Sequence, residues 1–293
     1  MKKALVIGGS GFLGSHVADY LQSDGFEVSI FDSIESIWLR DGQKMIVGSV
    51  TDMDKLVSTM TADTVVYNFA AIADIDAAKT DPLKTMSVNV LGALTILEAM
   101  RRVGAKKFVG ASTMYIYGTS GSFYRISKNA FEEIVEEYHQ SFGLEYHLLR
   151  YGSLYGPRSQ RWNSIKRYCD DVTQKGHIRY WGSGEEVREF IHAEDAARLS
   201  VEVLEHPEFV NKAVNITGSQ SIKIRDLFDL VFEIAGKEFS VEFDNGYAIS
   251  GHYKRSPYQQ KTARPVLRLT SPVGVDLGFG IMQELERSRD EGQ

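Results

Sequence analysis

The sequence predicts an α/β fold built on a doubly wound parallel sheet, with a smaller domain in the C-terminal part. Two observations carry this prediction. Short apolar runs alternate with amphipathic stretches over the first 150 residues, and a glycine-rich turn follows the first apolar run directly. Strands that alternate with helices pair in parallel through right-handed crossovers. At 293 residues the chain is long enough to bury a sizeable core.

The elements follow in order from these periodicities. We expect helices at 12–23, 88–102 and 125–142, and strands at 4–8, 27–32, 44–48, 64–69, 107–111 and 146–151. The alternation of predicted strands and helices ends after Tyr155-Gly156-Pro157, and a strand–helix pattern returns near residue 190. We therefore assign 1–154, with about 187–217, to a nucleotide-binding domain, and about 155–186 with 218–293 to the smaller domain.

Composition excludes several classes of protein. The 33 Lys and Arg residues are outnumbered by 39 Asp and Glu, which gives a net charge of −6 and argues against a nucleic-acid surface. A single cysteine, Cys169, cannot form an internal disulfide or a thiolate metal site, so no metal is expected. The apolar run 4–7 is too short for a signal peptide, and no unbroken apolar stretch is long enough to span a bilayer. We expect a cytoplasmic protein without a membrane partner.

The turn 8–14 has the spacing of a dinucleotide-binding loop. Gly8, Gly11 and Gly14 follow a strand and open a helix, where glycines allow backbone N–H groups to approach a pyrophosphate. Asp32 stands at the tip of the second strand, near the expected spacing of about twenty residues. A carboxylate there accepts hydrogen bonds from a ribose diol and repels a 2′-phosphate. The pattern favours NAD over NADP.

Tyr124 and Lys128 are four residues apart on a predicted helix and share one face. An ammonium beside a phenol stabilises the phenolate, which can then remove a proton from a substrate hydroxyl. This spacing is common by chance on solvated helices. What favours a functional pair is the strand 107–111, which ends in Ser112-Thr113 at the sheet edge where ligands bind.

These motifs together resemble the extended short-chain dehydrogenase/reductases of the NAD-dependent epimerase/dehydratase family, which act mostly on nucleotide sugars. The resemblance runs almost end to end. It covers the glycine loop, Asp32, Asp52, Ala70-Ala71, Asn89, Ser112-Thr113 with Tyr117-Gly118, Tyr124 with Lys128, Arg150 before Tyr155-Gly156-Pro157, and Arg188 to His192 followed by Asp195.

The resemblance implies roles for individual residues. Tyr124 would be the catalytic acid and base, Lys128 its partner and Thr113 the hydroxyl that hydrogen-bonds the reacting oxygen. Arg188 and Arg264 would contact the substrate diphosphate, with Thr113 and Tyr124 at the sugar. The residues expected at NAD are Gly8, Gly11, Phe12, Leu13, Gly14, Asp32, Val50, Asp52, Ala70, Ala71, Asn89, Tyr124, Lys128 and Tyr151.

The chain departs from the family pattern beside the catalytic Thr. Family dehydratases carry an Asp-Glu pair there and decarboxylases keep a Glu, whereas this chain has Met114-Tyr115. The loop 119–123 is also short, so part of the wall around the sugar should be missing or supplied elsewhere. A cationic run, Lys254, Arg255, Lys261 and Arg264, is either a solvated loop or a phosphate-gripping lid.

The sequence therefore favours a nucleotide-sugar epimerase that inverts C4 through a transient 4-keto sugar. Alternatives are a 4-ketoreductase or dehydrogenase on the same scaffold, or a non-catalytic NAD-binding protein. We also expect a homodimer, because related proteins pair two helices per subunit. The candidate apolar stripes on the two helices contain Leu91, Leu94 and Leu97, and Ile134, Val135 and Tyr138.

Overall fold

A computed structural model describes residues 2–244, 266–271 and 273–291 of the chain. The strands are β1 (Lys3–Ile7), β2 (Glu27–Asp32), β3 (Lys44–Val47), β4 (Thr64–Asn68), β5 (Lys107–Thr113), β6 (Glu145–Tyr151), β7 (Ser153–Tyr155), β8 (Ile178–Tyr180), β9 (Val187–His192), β10 (Lys212–Ile216), β11 (Ser221–Lys223), β12 (Val241–Phe243) and β13 (Leu267–Leu269). The α-helices are α1 (Phe12–Ser23), α2 (Met53–Ser58), α3 (Ile75–Thr80), α4 (Pro82–Met86), α5 (Gly92–Val103), α6 (Ser122–Phe142), α7 (Ser164–Lys175), α8 (Ala193–Glu202), α9 (Ile224–Ala235) and α10 (Leu277–Asp290). A π-helical turn (Ser87–Leu91) joins α4 to α5, and a 3₁₀ turn (Met114–Tyr117) follows β5.

The central sheet has eight strands in the order β13-β10-β6-β5-β4-β1-β2-β3, and all its pairings are parallel. The chain begins in the middle at β1, adds β2 and β3 on one side, and then returns to add β4, β5 and β6 on the other. The order therefore reverses between β1 and β4. Ligands bind at such a reversal, beyond the carboxyl ends of the strands. The predicted doubly wound α/β fold is confirmed.

Apolar residues cover both faces of this sheet, as the crossovers require. On β1, Ala4 to Ile7 are all buried, so their side chains enter both cores. One core contains Leu21 of α1 and Leu199 of α8, and the other contains Leu97 of α5 and Phe131 of α6. The helices are thus fixed by burial on opposite faces, and the loops at the carboxyl ends of the strands remain to form the site.

A third core holds a smaller layer on the C-terminal side of the chain. Helices α7, α9 and α10 meet in it around Tyr168, Phe228 and Ile281. A three-stranded sheet, β11-β9-β7, and a two-stranded sheet, β12-β8, border this layer. Strand β13, although it lies in the range assigned to the smaller domain, pairs with β10 of the large sheet. The division into two domains stays a prediction.

One helical stretch of the described chain, Pro82–Val103, is long and apolar enough to cross a membrane by length and composition alone. The run contains Lys84 and Glu98, so it is not an unbroken apolar segment. Half of it is buried in this fold, where Ile96, Leu97 and Met100 pack into the sheet. The core helix of a folded domain meets the same criteria.

Candidate active site

The glycine loop joins β1 to α1 by close backbone contacts that exclude side chains. Gly8 has φ +80°, and a Cβ there would lie 2.4 Å from the Ala70 nitrogen. A Cβ on Gly14 would lie 2.3 Å from the Gly8 carbonyl oxygen. Gly11 precedes α1 with no side chain to cap it, so the first N–H groups of the helix face the turn. This cradle suits an anionic group that takes its hydrogen bonds from backbone.

Asp32 ends β2 and reaches the glycine loop. Its Oδ2 accepts a hydrogen bond of 3.0 Å from the Ser10 N–H, and its Oδ1 lies 3.4 Å from the Ile34 N–H. The carboxylate therefore orders the loop and stands where the resemblance places the adenosine ribose. Asp52 caps α2 by accepting from the Lys55 N–H at 3.1 Å. Val50 packs on Gly92, whose added Cβ would lie 2.5 Å from the Val50 Cγ2.

Asn89 is hydrogen-bonded to two neighbouring parts of the chain. This buried side chain sits in the π-helical turn, donates to the Ile72 carbonyl at 3.1 Å and to Ser127 Oγ at 2.9 Å, and accepts from the Ile72 N–H at 2.8 Å. Its amide thus ties the loop after β4 to α6. The predicted contact of Asn89 with the cofactor stays a prediction.

A cavity of about 770 Å³ opens at the carboxyl ends of the strands. It brings the glycine loop together with Thr113, Tyr124 and Lys128 from β5 and α6. Of the other predicted residues, Phe12, Leu13, Ala71, Tyr151 and Arg188 line it, whereas Asp32, Val50, Asp52, Ala70 and Asn89 lie outside its lining. The cavity lies at the reversal of strand order between β1 and β4.

Thr113 and Tyr124 face the cavity from neighbouring elements. Thr113 is buried at the end of β5, and its hydroxyl accepts a hydrogen bond of 3.3 Å from the Tyr115 N–H. The half-buried Tyr124 meets the ring of Tyr115 edge to face, with centroids 6.2 Å apart. Gly121, in the short loop, has φ +103°, and a Cβ there would lie 2.8 Å from Tyr115 Cδ1. The absence of a side chain at Gly121 therefore leaves room for the Tyr115 ring. The Tyr115 side chain thus forms part of the cavity wall that a longer loop would otherwise form.

Lys128 is a buried ammonium one turn after Tyr124. Its Nζ donates to the Ala111 carbonyl at 2.6 Å and lies 5.2 Å from the centroid of the Phe131 ring. Burial lowers the pKa of Lys128 to about 8, although the nearby Glu132 carboxylate acts in the opposite sense. A lysine whose pKa is this close to neutral pH can exchange a proton with an adjacent phenol.

A buried polar network lies beneath this pair, and the sequence interpretation missed it. Glu132 accepts from Arg150 at 2.7 and 2.9 Å and from Ser112 Oγ at 2.5 Å. Arg150 also donates to the Tyr117 hydroxyl, which donates to Asn215. Burial opposes the charge on Arg150, yet the bonds to Glu132 raise the pKa of the guanidinium. A signal was available: Glu132 follows Lys128 by four residues, on the same helix face.

The opposite wall of the cavity is cationic and aromatic. Arg188 of β9 is buried and donates to the Val187 carbonyl at 3.1 Å. Arg167 of α7 and Arg179 of β8 line the same wall, and neither was predicted. The guanidinium of Arg179 lies 4.5 Å from the ring of Trp181, which is 56% exposed. This combination suits a ligand with an anionic group and a flat ring.

Arg264 and the cationic run at 254–264 lie outside the described residues. The predicted contact of Arg264 with a substrate phosphate therefore stays a prediction. Arg188, Arg167 and Arg179 supply cations to the cavity without that segment. Within the described ranges 2–244, 266–271 and 273–291, no group of His, Cys, Asp and Glu side chains has the geometry of a metal site.

Residues 4–217 match the model of the NAD dependent epimerase/dehydratase family. The chain belongs to this family. A putative UDP-glucose 4-epimerase of Methanocaldococcus jannaschii is 27% identical over 254 residues, which cover 78% of this chain and 80% of that protein. A UDP-glucuronate 4-epimerase of Thermodesulfobacterium geofontis is 26% identical over 270 residues, with 82% and 83% covered.

Solved structures share the fold over the whole chain. A UDP-N-acetylglucosamine 4-epimerase from Methanobrevibacter ruminantium superposes with a TM-score of 0.84 at 21% identity and covers 99% of both chains. A UDP-glucose 4-epimerase from Thermotoga maritima gives a TM-score of 0.83 at 24% identity, covering 99% of this chain and 100% of the other. The fold is therefore shown at full length.

The residues present fit the NAD on which members of this family depend. Backbone contacts leave no room for a Cβ at Gly8 or Gly14, so the turn before α1 stays tight and leaves the uncapped N–H groups of the helix for a pyrophosphate. Asp32 presents a carboxylate at the end of β2, beside the loop. Lys128 and Tyr124 would hold the nicotinamide end, across the cavity from the three arginines.

Proposed function

We propose that the protein is an NAD-dependent nucleotide-sugar 4-epimerase. One observation carries the proposal: Thr113, Tyr124 and Lys128 converge on a cavity that the glycine loop also lines. The opposite wall supplies Arg167, Arg179 and Arg188 for the diphosphate of the substrate. The similarity to UDP-glucose and UDP-glucuronate 4-epimerases supports the same reaction.

The protein's own residues accept and return the proton of the C4 hydroxyl. NAD, when bound, supplies the two-electron chemistry at C4. Tyr124 takes the proton from the C4 hydroxyl of the sugar as the ketone forms, and returns it after the sugar has turned over in the cavity. The Lys128 ammonium, four residues away, stabilises the tyrosinate electrostatically. The Thr113 hydroxyl hydrogen-bonds the same sugar oxygen and keeps it in line with the phenol.

The residues after Thr113 argue against dehydration or decarboxylation. Met114 is buried at 2% exposure, and Tyr115 packs on Tyr124, so neither offers a carboxyl group beside the sugar. Among the described residues that line the cavity, the carboxylates are Asp74, which caps α3, and Asp76, in the first turn of that helix. Elimination of a hydroxyl needs a further acid and base in addition to Tyr124, and Met114 and Tyr115 supply no carboxyl group for that role.

The test is to incubate the purified protein with UDP-glucose and resolve the hexose products chromatographically. We expect UDP-galactose to form without net accumulation of NADH. Stoichiometric NADH would instead indicate the dehydrogenase. A protein that binds NAD but converts no member of a panel of UDP-hexoses would support the non-catalytic alternative.

We also propose a homodimer formed through α5 and α6. Both helices leave large apolar side chains in solvent, with Leu91 51%, Leu94 39% and Ile126 43% exposed. Leu97 and Val135, which the sequence analysis placed on the same stripes, are fully buried in the subunit. Only part of the predicted stripes is therefore available to a partner, namely the residues whose side chains remain exposed, such as Leu91 and Leu94.

A further inference from the structure

The cavity is polarised along its length. Arg167, Arg179 and Arg188 line the wall formed by α7, β8 and β9. Asp74 and Asp76 line it on the side of the loop after β4. A dianionic diphosphate is attracted to the arginine wall, so the sugar attached to it must project towards the other side.

Hydrogen bonds hold the acidic loop beside the catalytic helix. Asn89 binds both Ile72, two residues before Asp74, and Ser127, the neighbour of Lys128. Helix α3, which starts at Ile75, packs on α6. Asp74 is further fixed because its carboxylate accepts from the Ala77 N–H at 2.7 Å and caps α3. The two carboxylates therefore stand on the Tyr124 side of the cavity.

Little positive charge from the described residues offsets Asp74 and Asp76 on the Tyr124 side of the cavity. Of the described lining residues on this side, Lys128 is the cation, and its Nζ is already bonded to the Ala111 carbonyl. Asp74 is half-buried and Asp76 is exposed, and neither carboxylate forms an ion pair with another described residue. Among the described residues, two carboxylates thus face one ammonium on this side, so a second anion placed there would meet net repulsion.

We propose that Asp74 and Asp76 select the sugar: the enzyme accepts nucleotide sugars whose C6 is uncharged and rejects uronates. The inference rests on the proposed epimerase function and narrows its substrate class. Attraction at the arginine wall is the same for both kinds of substrate, because both carry the diphosphate. Discrimination therefore comes from the repulsive element at the sugar end.

The test compares kcat/KM for UDP-glucose and UDP-glucuronate in the wild type and in charge-removing variants. Asp74→Asn keeps an oxygen that can cap α3, since Asn is an equally good N-cap. Asp76→Asn and the double variant remove the remaining charge. We expect the wild type to prefer UDP-glucose by at least about tenfold and the double variant to lose about tenfold of that preference. Asp229→Asn, at an exposed residue of α9, is the matched control and should keep the wild-type ratio.

Calorimetric titration of the NAD-loaded protein with both nucleotide sugars gives a readout that does not require turnover. Weaker binding of UDP-glucuronate that recovers in the double variant supports the inference, even if no hexose is isomerised and the epimerase proposal fails. Equal or tighter binding of UDP-glucuronate by the wild type overturns the inference and leaves the epimerase proposal standing. An unchanged ratio in the double variant also overturns it.

Discussion

At the scale of single residues, the Tyr124 hydroxyl is the group that the proposed reaction cannot lose. Tyr124→Phe keeps the ring and its contact with Tyr115 but removes the exchangeable proton. We expect NAD to remain bound while turnover of the nucleotide sugar falls by roughly two to four orders of magnitude. Tyr138→Phe is the control, because that hydroxyl lies on the same helix and faces Glu98. Near wild-type turnover in Tyr124→Phe would exclude the proposed mechanism.

Lys128 makes a second prediction at this scale, for stability and pH. Burial lowers its pKa from 10.5 in the unfolded chain to about 8. Between these values the unfolded chain binds more protons than the folded one, so the contribution of this site to stability rises with pH. Below about pH 8 both states are protonated, and the folded state carries the full cost of a buried ammonium.

The measurement is urea unfolding of the wild type and Lys128→Met from pH 7 to pH 10. We expect the wild type to gain about 2 kcal/mol on the variant between pH 8 and pH 10. Lys175→Met, at a side chain that is 68% exposed, is the control and should retain the wild-type trend. A constant difference between wild type and Lys128→Met over this range would contradict the shifted pKa.

The convergence of Thr113, Tyr124 and Lys128 on one cavity could be predicted from sequence, because it follows from the topology of the sheet. In a parallel sheet the ends of neighbouring strands meet at one edge, so Thr113 had to approach the glycine loop. What could not be predicted were hydrogen bonds between elements distant in sequence. Asn89 shows this, since the motif that contains it gives no sign that Ile72 and Ser127 take its polar atoms.

At the scale of elements, one buried ion pair joins α6 to β6, and a hydrogen bond to the same carboxylate adds β5. The side chains of Glu132 and Arg150 are 0% and 4% exposed, and Ser112 of β5 donates to the same carboxylate. The pair thus fixes the helix that carries Tyr124 against the strand that carries Thr113. Arg150 is a buried cation in β6, which indicates a partner of opposite charge without revealing which residue that partner is.

The pair predicts strong coupling in a double-mutant cycle. Glu132→Gln or Arg150→Met alone leaves the other charge buried without its counterion, so each should cost about 3–5 kcal/mol of unfolding free energy. The double variant should cost clearly less than the sum of the two, because the charge that each single variant leaves without its counterion is then removed as well. Chemical denaturation of all four proteins measures this. Additive losses would show that the two residues act independently.

At the scale of the whole molecule, the fold class was predictable and the details of the cavity were not. Alternating periodicity sets the parallel sheet, but the cationic wall draws on α7, β8 and β9, whose packing depends on a separate core. No local pattern distinguishes Arg167 and Arg179 from ordinary surface cations. The polarity of the cavity is therefore a property of the assembled molecule.

The last prediction concerns the assembly of two such molecules. Leu91 and Leu94 are three residues apart across the start of α5, and both are exposed, as is Ile126 of α6. Apolar side chains grouped on one face are costly in water and favour association. We expect light scattering at micromolar concentration to give a mass near 66 kDa, twice the chain mass of 32.8 kDa.

Leu94→Asp should shift the mass to that of a monomer, because a charge in an apolar interface loses its hydration. Val273→Asp, at a side chain 85% exposed and distant in sequence from α5 and α6, is the control and should remain dimeric. A wild-type mass near 33 kDa would rule out the dimer at that concentration.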